Sequence, residues 1–294
     1  MVKHINSLIV FLLFANTVLS GFTILNLPHG GRAVSLGENL CALPEEIENI
    51  YYNPAGLVGI QPFELKFMYF KWVADINIGN FLLAKSFKNK STLGTSFSYV
   101  WTQLESENQS SNYYSLINNL VYSIKFNKTY FGLGLTILHE KISLEERNNL
   151  AVGINLGLLL RFQRFSFGTS VRNIGQSFTT IGSATETIPT NLNFGISYIT
   201  SNHIILLSNV KYNLNGHLSI HTGLELPIYR GIREDISIRV GNILKLTEDS
   251  EISSISNFRF GLGFKKEGLK IDYSFVPLGE IGFFHYLSLG FMFY

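Results

Sequence analysis

The chain has 294 residues, and only 15% of them are charged, whereas soluble domains average about 25%. Its 23 basic and 21 acidic residues leave a net charge of +2 without any basic block, which argues against a nucleic-acid partner. The single cysteine, Cys41, excludes an internal disulfide and a Cys-x-x-Cys metal site.

Residues 1–20 have the pattern of a secretory signal peptide. Lys3 and His4 give a weakly basic start, and Leu8 to Phe14 is an apolar run of seven residues. A membrane-spanning anchor, the alternative, needs about 20 apolar residues, so this run is too short for one. We predict cleavage near Ser20-Gly21 and export of the mature protein from the cytoplasm.

Residues 21–61 form a second segment, which lacks strand periodicity. Gly30 to Gly59 read GGRAVSLGENLCALPEEIENIYYNPAGLVG and include four acids, Glu38, Glu45, Glu46 and Glu48. The stretch Asn53-Pro54-Ala55-Gly56 breaks regular structure, because the proline fixes φ and has no N–H to donate. We predict that this segment is a hatch that packs inside, or caps, a barrel formed by residues 62–294.

Beyond residue 61 the sequence alternates between apolar and polar or small residues, which is the two-residue period of a strand. Leu150, Val152 and Ile154 share one face, for example, and small or polar residues occupy the other. Such runs number about fourteen, near residues 63–72, 75–88, 91–104, 113–126, 129–143, 148–162, 164–173, 189–199, 202–213, 216–228, 232–243, 256–266, 268–277 and 285–294. Wider polar gaps at 105–112, 176–186 and 246–254 alternate with tight turns, as expected if the two barrel ends face different compartments.

The apolar faces of these strands need a covering. In a soluble sandwich or propeller, the alternative, the outer faces carry charge, whereas the second face here is mostly Gly, Ser, Thr and Asn. Lipid explains the strand lengths, and closure is required because an open edge in lipid leaves backbone groups unpaired. Aromatic residues near strand ends suit an interfacial girdle. We predict an all-β transmembrane antiparallel β-barrel of about 14 strands with a luminal hatch, in the lipid of the bacterial outer membrane.

Three stretches resemble a known family. Residues 31–37, GRAVSLG, and residues 51–57, YYNPAGL, resemble the opening of the PorV/PorQ family of outer-membrane proteins, with its Gly-Ala-Arg-Ala-like start and Trp-Asn-Pro-Ala-Gly-Leu. Residues 268–282, GLKIDYSFVPLGEIG, followed by His285, resemble that family's ending. Tyr52 stands where the family often has Trp, and Phe283-Phe284 where it commonly has Asn-Thr.

The resemblance implies a barrel of the FadL superfamily with its N-terminal segment in the lumen. Some members of that group carry long-chain fatty acids or other hydrophobic molecules, and PorV and PorQ serve type IX secretion by handling or attaching its cargo. We therefore predict a conduit for hydrophobic small molecules such as long-chain fatty acids. The alternative is a type IX secretion component whose partners are secretion-system proteins.

Neither an enzyme nor a metal or cofactor site is predicted. The histidines are dispersed, and the closest two, His217 and His221, would lie about 13 Å apart on a strand at 3.3 Å per residue. No Gly-x-Ser-x-Gly elbow is present. The acids at 45, 46 and 48 form either a ligand cluster or a solvated turn, and we favour the solvated turn.

Charged residues on the inward face are expected to line the lumen, because charge at mid-membrane depth costs about 2–4 kcal/mol on the lipid side. They are Lys66, Arg161, Arg172, Lys211, Glu225, Arg239, Arg259, Lys265, Lys270 and Asp272. Some of them are predicted to hold the acidic hatch by ion pairs and hydrogen bonds; alternatively, they only line a wet lumen. The predicted hatch motif consists of Arg32, Asn53, Pro54, Ala55 and Gly56.

Overall fold

The computed structural model describes residues 22–88, 90–106, 109–143, 148–179, 188–247, 257–279 and 282–294; the predicted signal peptide, residues 1–20, lies outside them. Fourteen antiparallel strands in these residues form one closed barrel, in which each strand pairs with its chain neighbours and the first pairs with the last. The predicted all-β barrel is confirmed. None of the helices in the described residues is long and apolar enough to cross a membrane.

The strands are β1 (Phe63–Lys71), β2 (Asn77–Phe87), β3 (Ser91–Ser106), β4 (Gln109–Phe126), β5 (Thr129–Ile142), β6 (Asn148–Arg161), β7 (Phe165–Thr179), β8 (Asn191–Ile199), β9 (Ile205–Asn213), β10 (Leu218–Arg230), β11 (Glu234–Lys245), β12 (Phe258–Lys266), β13 (Leu269–Pro277) and β14 (Phe283–Phe293).

The two ends of the barrel differ in their connections. At one end, tight turns such as Asn127-Lys128 and Glu267-Gly268 join the strands, and Asn127 and Glu267 have positive φ. The start of β1 and the end of β14 lie at this end as well, and we call it the short-turn end. At the opposite end, which we call the long-loop end, the largest numbers of residues separate consecutive strands, namely β7 from β8 and β11 from β12.

Two of the predicted gaps at the long-loop end contain more strand than expected. The predicted gap over residues 105–112 is wrong, because β3 continues to Ser106 and β4 begins at Gln109; β7 likewise extends to Thr179. These stretches are mostly polar on both faces. Hydropathy therefore carries no two-residue period there, although the backbone ladder continues.

The outer surface of the barrel is an apolar belt. Side chains alternate between the outside and the lumen, as in β14, where Leu287 is 56% exposed and Tyr286 is 0% exposed. Large exposed side chains recur around the barrel, among them Phe67, Leu133, Leu156, Phe194 and Leu262. Contiguous apolar area of this extent requires an apolar solvent, so the belt is the lipid-facing surface.

Residues 22–61 run inside the barrel, and we call them the plug. They contain a short helix, α1 (Gly31–Ser35), and 3-10 turns at Thr23–Asn26, Ile47–Ile50 and Pro54–Leu57. Phe22 belongs to an apolar cluster at the long-loop end that also contains Phe70 and Ile76, whereas residue 61 leads into β1 at the short-turn end. The plug therefore crosses the lumen from one end to the other.

A ring of glycines brings the plug into contact with the wall. A Cβ added at Gly168 would overlap the carbonyl group of Cys41, and a Cβ at Gly241 would overlap the backbone of Gly37. Within the described residues, eight strands each contribute one such lumen-facing glycine against the plug: Gly94, Gly132, Gly157, Gly168, Gly195, Gly223, Gly241 and Gly261. The absent side chains provide the space that the plug occupies, so the plug fills the lumen at this level.

The substitution Gly168→Ala is expected to weaken this packing, because the new methyl group meets backbone atoms of Cys41 and Ala42. Overpacking of this kind costs about 1–3 kcal/mol. The matched control is Gly79→Ala on the outer face, where the nearest atom, of Trp101, is 3.8 Å away. Urea unfolding in detergent micelles measures both free energies, and equal midpoints would contradict the close contact at Gly168.

Candidate functional site

The Asn53 side chain forms hydrogen bonds both within the plug and to the barrel wall. Its Oδ1 accepts the N–H of Ala55 at 3.1 Å, which caps the 3-10 turn that begins at Pro54. Its Nδ2 donates to the carbonyl oxygens of Cys41 at 2.6 Å and of Leu158, on β6, at 3.2 Å. A carbonyl of the same turn, that of Pro54, accepts a hydrogen bond from Ser123 of β4. In the structure the Asn-Pro-Ala-Gly stretch is thus a packing anchor.

Seven charged side chains meet where the plug passes the wall, and we call them the ionic cluster: Arg32, Glu46 and Glu48 of the plug, Lys66 of β1, Glu225 of β10, Arg239 of β11 and Asp272 of β13. Lys66 Nζ lies 2.5 Å from Glu48 Oε1 and 2.8 Å from Asp272 Oδ2. Arg239 links Asp272 to Glu225, with nitrogen–oxygen distances of 2.7 Å to both carboxylates.

Arg32 completes the ionic cluster from the plug side. Its Nε and Nη2 donate to the two oxygens of Glu225, each at 2.9 Å, and its Nη1 donates to Glu46 Oε2 at 2.6 Å. A two-pronged guanidinium–carboxylate contact fixes orientation as well as distance. Arg32 therefore holds α1 of the plug against β10.

The charge of Glu46 depends on these partners. Burial by itself raises the pKa of a carboxyl group, but the positive charges of Lys66, Lys270 and Arg32 outweigh burial and lower the pKa of Glu46 to about 2. A lowered pKa means that Glu46 stabilises the plug at pH values above the ordinary glutamate pKa and loses that effect as the pH falls towards its own pKa.

The solvated turn predicted for the acids at 45, 46 and 48 is wrong for two of them. Glu46 and Glu48 are 1% and 0% exposed, and only Glu45 reaches solvent, where it pairs with Arg161 of β6. The cause is the set of basic partners from strands far along the chain, which local sequence does not reveal. Among the described residues, no group of His, Cys, Asp and Glu has the arrangement of a metal site.

A cavity of about 370 Å³ connects the ionic cluster to the short-turn end. Arg32, Glu225 and Arg239 line its inner part. Near its mouth, Lys270 of β13 pairs with Glu64 of β1 at 2.8 Å. Glu64 was not singled out from the sequence, although it lies two residues before Lys66 and hence on the same face of β1.

The other half of the lumen is basic. Arg172 of β7 and Lys211 of β9 form neither a hydrogen bond nor an ion pair with any described residue. Lys211 lines a cavity of about 270 Å³, the basic chamber, together with Arg259 of β12, Glu38 of the plug and His221 of β10. Arg259 donates to the carbonyl oxygen of Phe258. Of the predicted lumen-lining residues, Arg172 and Arg259 thus lie apart from the ionic cluster.

An apolar chamber lies at the long-loop end next to this basic region. The plug residues Phe22, Ile24 and Leu25 fill it, and its wall consists of Met68, Phe70, Ile78, Val100, Ile117, Val276, Phe284 and Tyr286. Asn26, the next plug residue, lines the basic chamber and accepts a hydrogen bond from Asn191 at 2.9 Å. The first residues of the plug therefore occupy apolar space beside a cationic region, which sequence patterns did not reveal.

The fold is similar to that of solved outer-membrane channels, and part of the sequence matches one family model. The family described as "Uncharacterised protein family (UPF0164)" matches residues 16–130, and no curated protein matches the chain. Among solved structures, the Ralstonia pickettii toluene transporter TbuX is 10% identical with a TM-score of 0.64, over 90% of this chain and 98% of its own.

Two further channels show the same likeness. The CymD monoaromatic hydrocarbon channel is 13% identical with a TM-score of 0.64, over 90% of this chain and 97% of its own. The Pseudomonas putida toluene transporter TodX is 11% identical with a TM-score of 0.61, over 89% and 96% of the two chains. At such low identity the likeness shows a shared barrel fold, and the residues of the lumen must be interpreted on their own.

Lys66→Met is expected to destabilise the protein by roughly 3–5 kcal/mol, because it leaves buried acids without their shared cation. The matched control is Lys265→Met on β12, whose side chain also lines the lumen but has no ion pair with a described residue. Urea unfolding of both variants measures the difference. A loss for Lys66→Met no larger than that for Lys265→Met would contradict the central role of Lys66.

Proposed function

We propose that the protein is an outer-membrane conduit for hydrophobic small molecules that carry an acid group, such as long-chain fatty acids. The observation that carries this proposal is the pair of lumen-facing cations, Arg172 and Lys211, neither of which forms an ion pair with a described acid. Glu38 of the plug, the acid of the basic chamber, acts on both only from beyond ion-pair distance. Arg172 and Lys211 are half-buried, and a partly desolvated cation with no acid in direct contact carries an electrostatic cost. An anionic group of a solute would offset that cost at this place in the lumen.

The apolar chamber supplies the second half of such a site. Its aromatic and aliphatic wall suits a hydrocarbon chain, whose burial contributes about 0.8 kcal/mol per CH₂ group. Phe22, Ile24 and Leu25 now occupy that space, so a solute would have to displace them. A carboxylate pairs with a guanidinium through two parallel hydrogen bonds, which gives Arg172 a reason to face the lumen.

The similarity to hydrocarbon channels supports a hydrophobic solute. TbuX and TodX are toluene transporters, and the present barrel shares their fold. Toluene carries no charge, so cations would have no partner in it. We therefore assign an acidic head group to the solute of this protein, in addition to an apolar body.

A second candidate function is a type IX secretion component of the PorV/PorQ kind, which handles or attaches cargo. The observation that favours it is the close contact between the plug and the glycine ring around the lumen. A barrel so filled can serve as a platform for other proteins without passing any solute. Secretion-system proteins are its proposed partners in that case.

Substituting Arg172 and Lys211 by Met is expected to weaken fatty-acid binding about 10- to 100-fold, since a hydrogen bond to a charged group contributes about 1.5–3 kcal/mol. Binding of a radiolabelled long-chain fatty acid to the purified protein measures the effect, with Lys265→Met as the control. Toluene binding should not change, because toluene has no charge to lose.

A deletion strain distinguishes the two candidate functions. Reduced fatty-acid uptake with normal surface attachment of secreted cargo supports the conduit. Normal uptake would remove the conduit proposal, and a loss of cargo attachment together with normal uptake would support the secretion component instead.

A further inference from the structure

The ionic cluster has one more acid than base. Its carboxyl groups belong to Glu46, Glu48, Glu225 and Asp272, and its cations to Arg32, Lys66 and Arg239. The adjoining pair of Lys270 and Glu64 is balanced and does not alter this difference. If every acid were ionised, one negative charge would lie buried without compensation, which is the arrangement that protein interiors avoid.

Glu48 is the acid with the fewest basic contacts. Asp272 contacts both Lys66 and Arg239, and Glu225 contacts both Arg32 and Arg239. Glu46 contacts Arg32 at 2.6 Å and lies 4.0 Å from Lys66. Glu48 contacts only Lys66, which it shares with Asp272.

Lys66 is the cation that three acids of the ionic cluster share. Its Nζ lies 2.5 Å from Oε1 of Glu48 but 4.0 Å from Oε1 of Glu46, and both oxygens are fully buried. The same ammonium group contacts Asp272 at 2.8 Å. One positive charge therefore serves three buried carboxyl groups.

The charged and titratable groups around Glu48 do not supply a second cation in contact with it. Lys66 of β1 and Asp272 of β13 face it from the wall. The other groups nearby are Arg32, Glu46, Tyr51 and Tyr52 on the plug, Glu225 on β10 and Arg239 on β11. The N–H of Ala33 donates to Glu48 Oε2 at 2.7 Å. Lys66 is thus the one cation in direct contact with Glu48 among the described residues.

We infer that Glu48 is a protonation site, and that at neutral pH its bound proton makes the ionic cluster electrically neutral around the plug. A neutral carboxyl group still accepts a hydrogen bond from Lys66 through its carbonyl oxygen. Loss of the proton would leave a buried negative charge between the plug and β1, and would therefore weaken the attachment of the plug.

The direction of the pH dependence follows from burial. Burial, with the nearby negative charges of Glu46 and Asp272, raises the pKa of Glu48 despite the opposing charge of Lys66. A group whose pKa is raised in the folded state contributes stability below its ordinary pKa and loses it as the pH rises through the folded value. The plug should consequently loosen on the alkaline side.

Infrared spectroscopy of the full chain in detergent micelles tests the protonation state. The wild-type protein should show the carbonyl band of a buried protonated carboxyl group at neutral pH, and Glu48→Gln should lack it. Asp272→Asn should lack it as well, because removing one negative charge lets Glu48 ionise. The control Glu45→Gln, which removes a solvent-exposed acid that pairs with Arg161 outside the ionic cluster, should keep the band.

Urea unfolding tests whether the proton on Glu48 stabilises the protein, and it does not depend on assigning an infrared band. The wild-type midpoint should fall as the pH is raised above neutral, whereas that of Glu48→Gln should stay constant, because glutamine imitates the neutral acid. Glu46→Gln, which breaks a charged contact with Arg32, should unfold at lower urea at every pH. Absence of the infrared band, or a Glu48→Gln variant that is as unstable as Glu46→Gln or does not fold, would overturn the inference.

Discussion

The buried ammonium group of Lys66 constrains the whole lumen. An unpaired cation at this depth would be costly, so acids from the plug and from β13 must lie within reach of it. Lys66 and Asp272 stand on either side of β14, where the facing residues are Gly290 and Ser288. These small residues leave room for the contact across β14. The same contact joins the two sides of the barrel closure, and the further contact of Lys66 with Glu48 attaches the plug at this level.

The glycine ring and the ionic cluster have different roles in holding the plug. The ring determines how closely the plug backbone can approach the wall, because packing at that distance excludes side chains. The ionic cluster determines its position, since its contacts have defined directions. Buried ion pairs often add little net stability compared with apolar residues of similar size. We expect their main contribution here to be the orientation of the plug rather than net stability, because each contact has a required direction.

The barrel could be predicted from the sequence because alternation in each strand reports directly on lipid and lumen. Leu150, Val152 and Ile154 reveal the outer face of β6 without any tertiary information. The contacts of the plug could not be predicted in this way. Lys66 contacts Glu48, 18 residues away in the sequence, and Asp272, 206 residues away, and no local pattern shows that these three residues meet. Charged residues in strands indicate the lumen; they do not indicate which acid of an irregular segment they will meet.

The first residues of the plug and its charged residues differ in whether another molecule could take over their contacts. Phe22, Ile24 and Leu25 make apolar contacts that have no required direction, and another apolar molecule of similar size can make them equally well. Arg32 and Glu48 make hydrogen bonds and ion pairs that no apolar solute reproduces. If the protein is the conduit proposed above, exchange of a hydrophobic solute at the long-loop end requires movement of only the first residues of the plug, while the ionic cluster and the glycine ring keep the remainder in place.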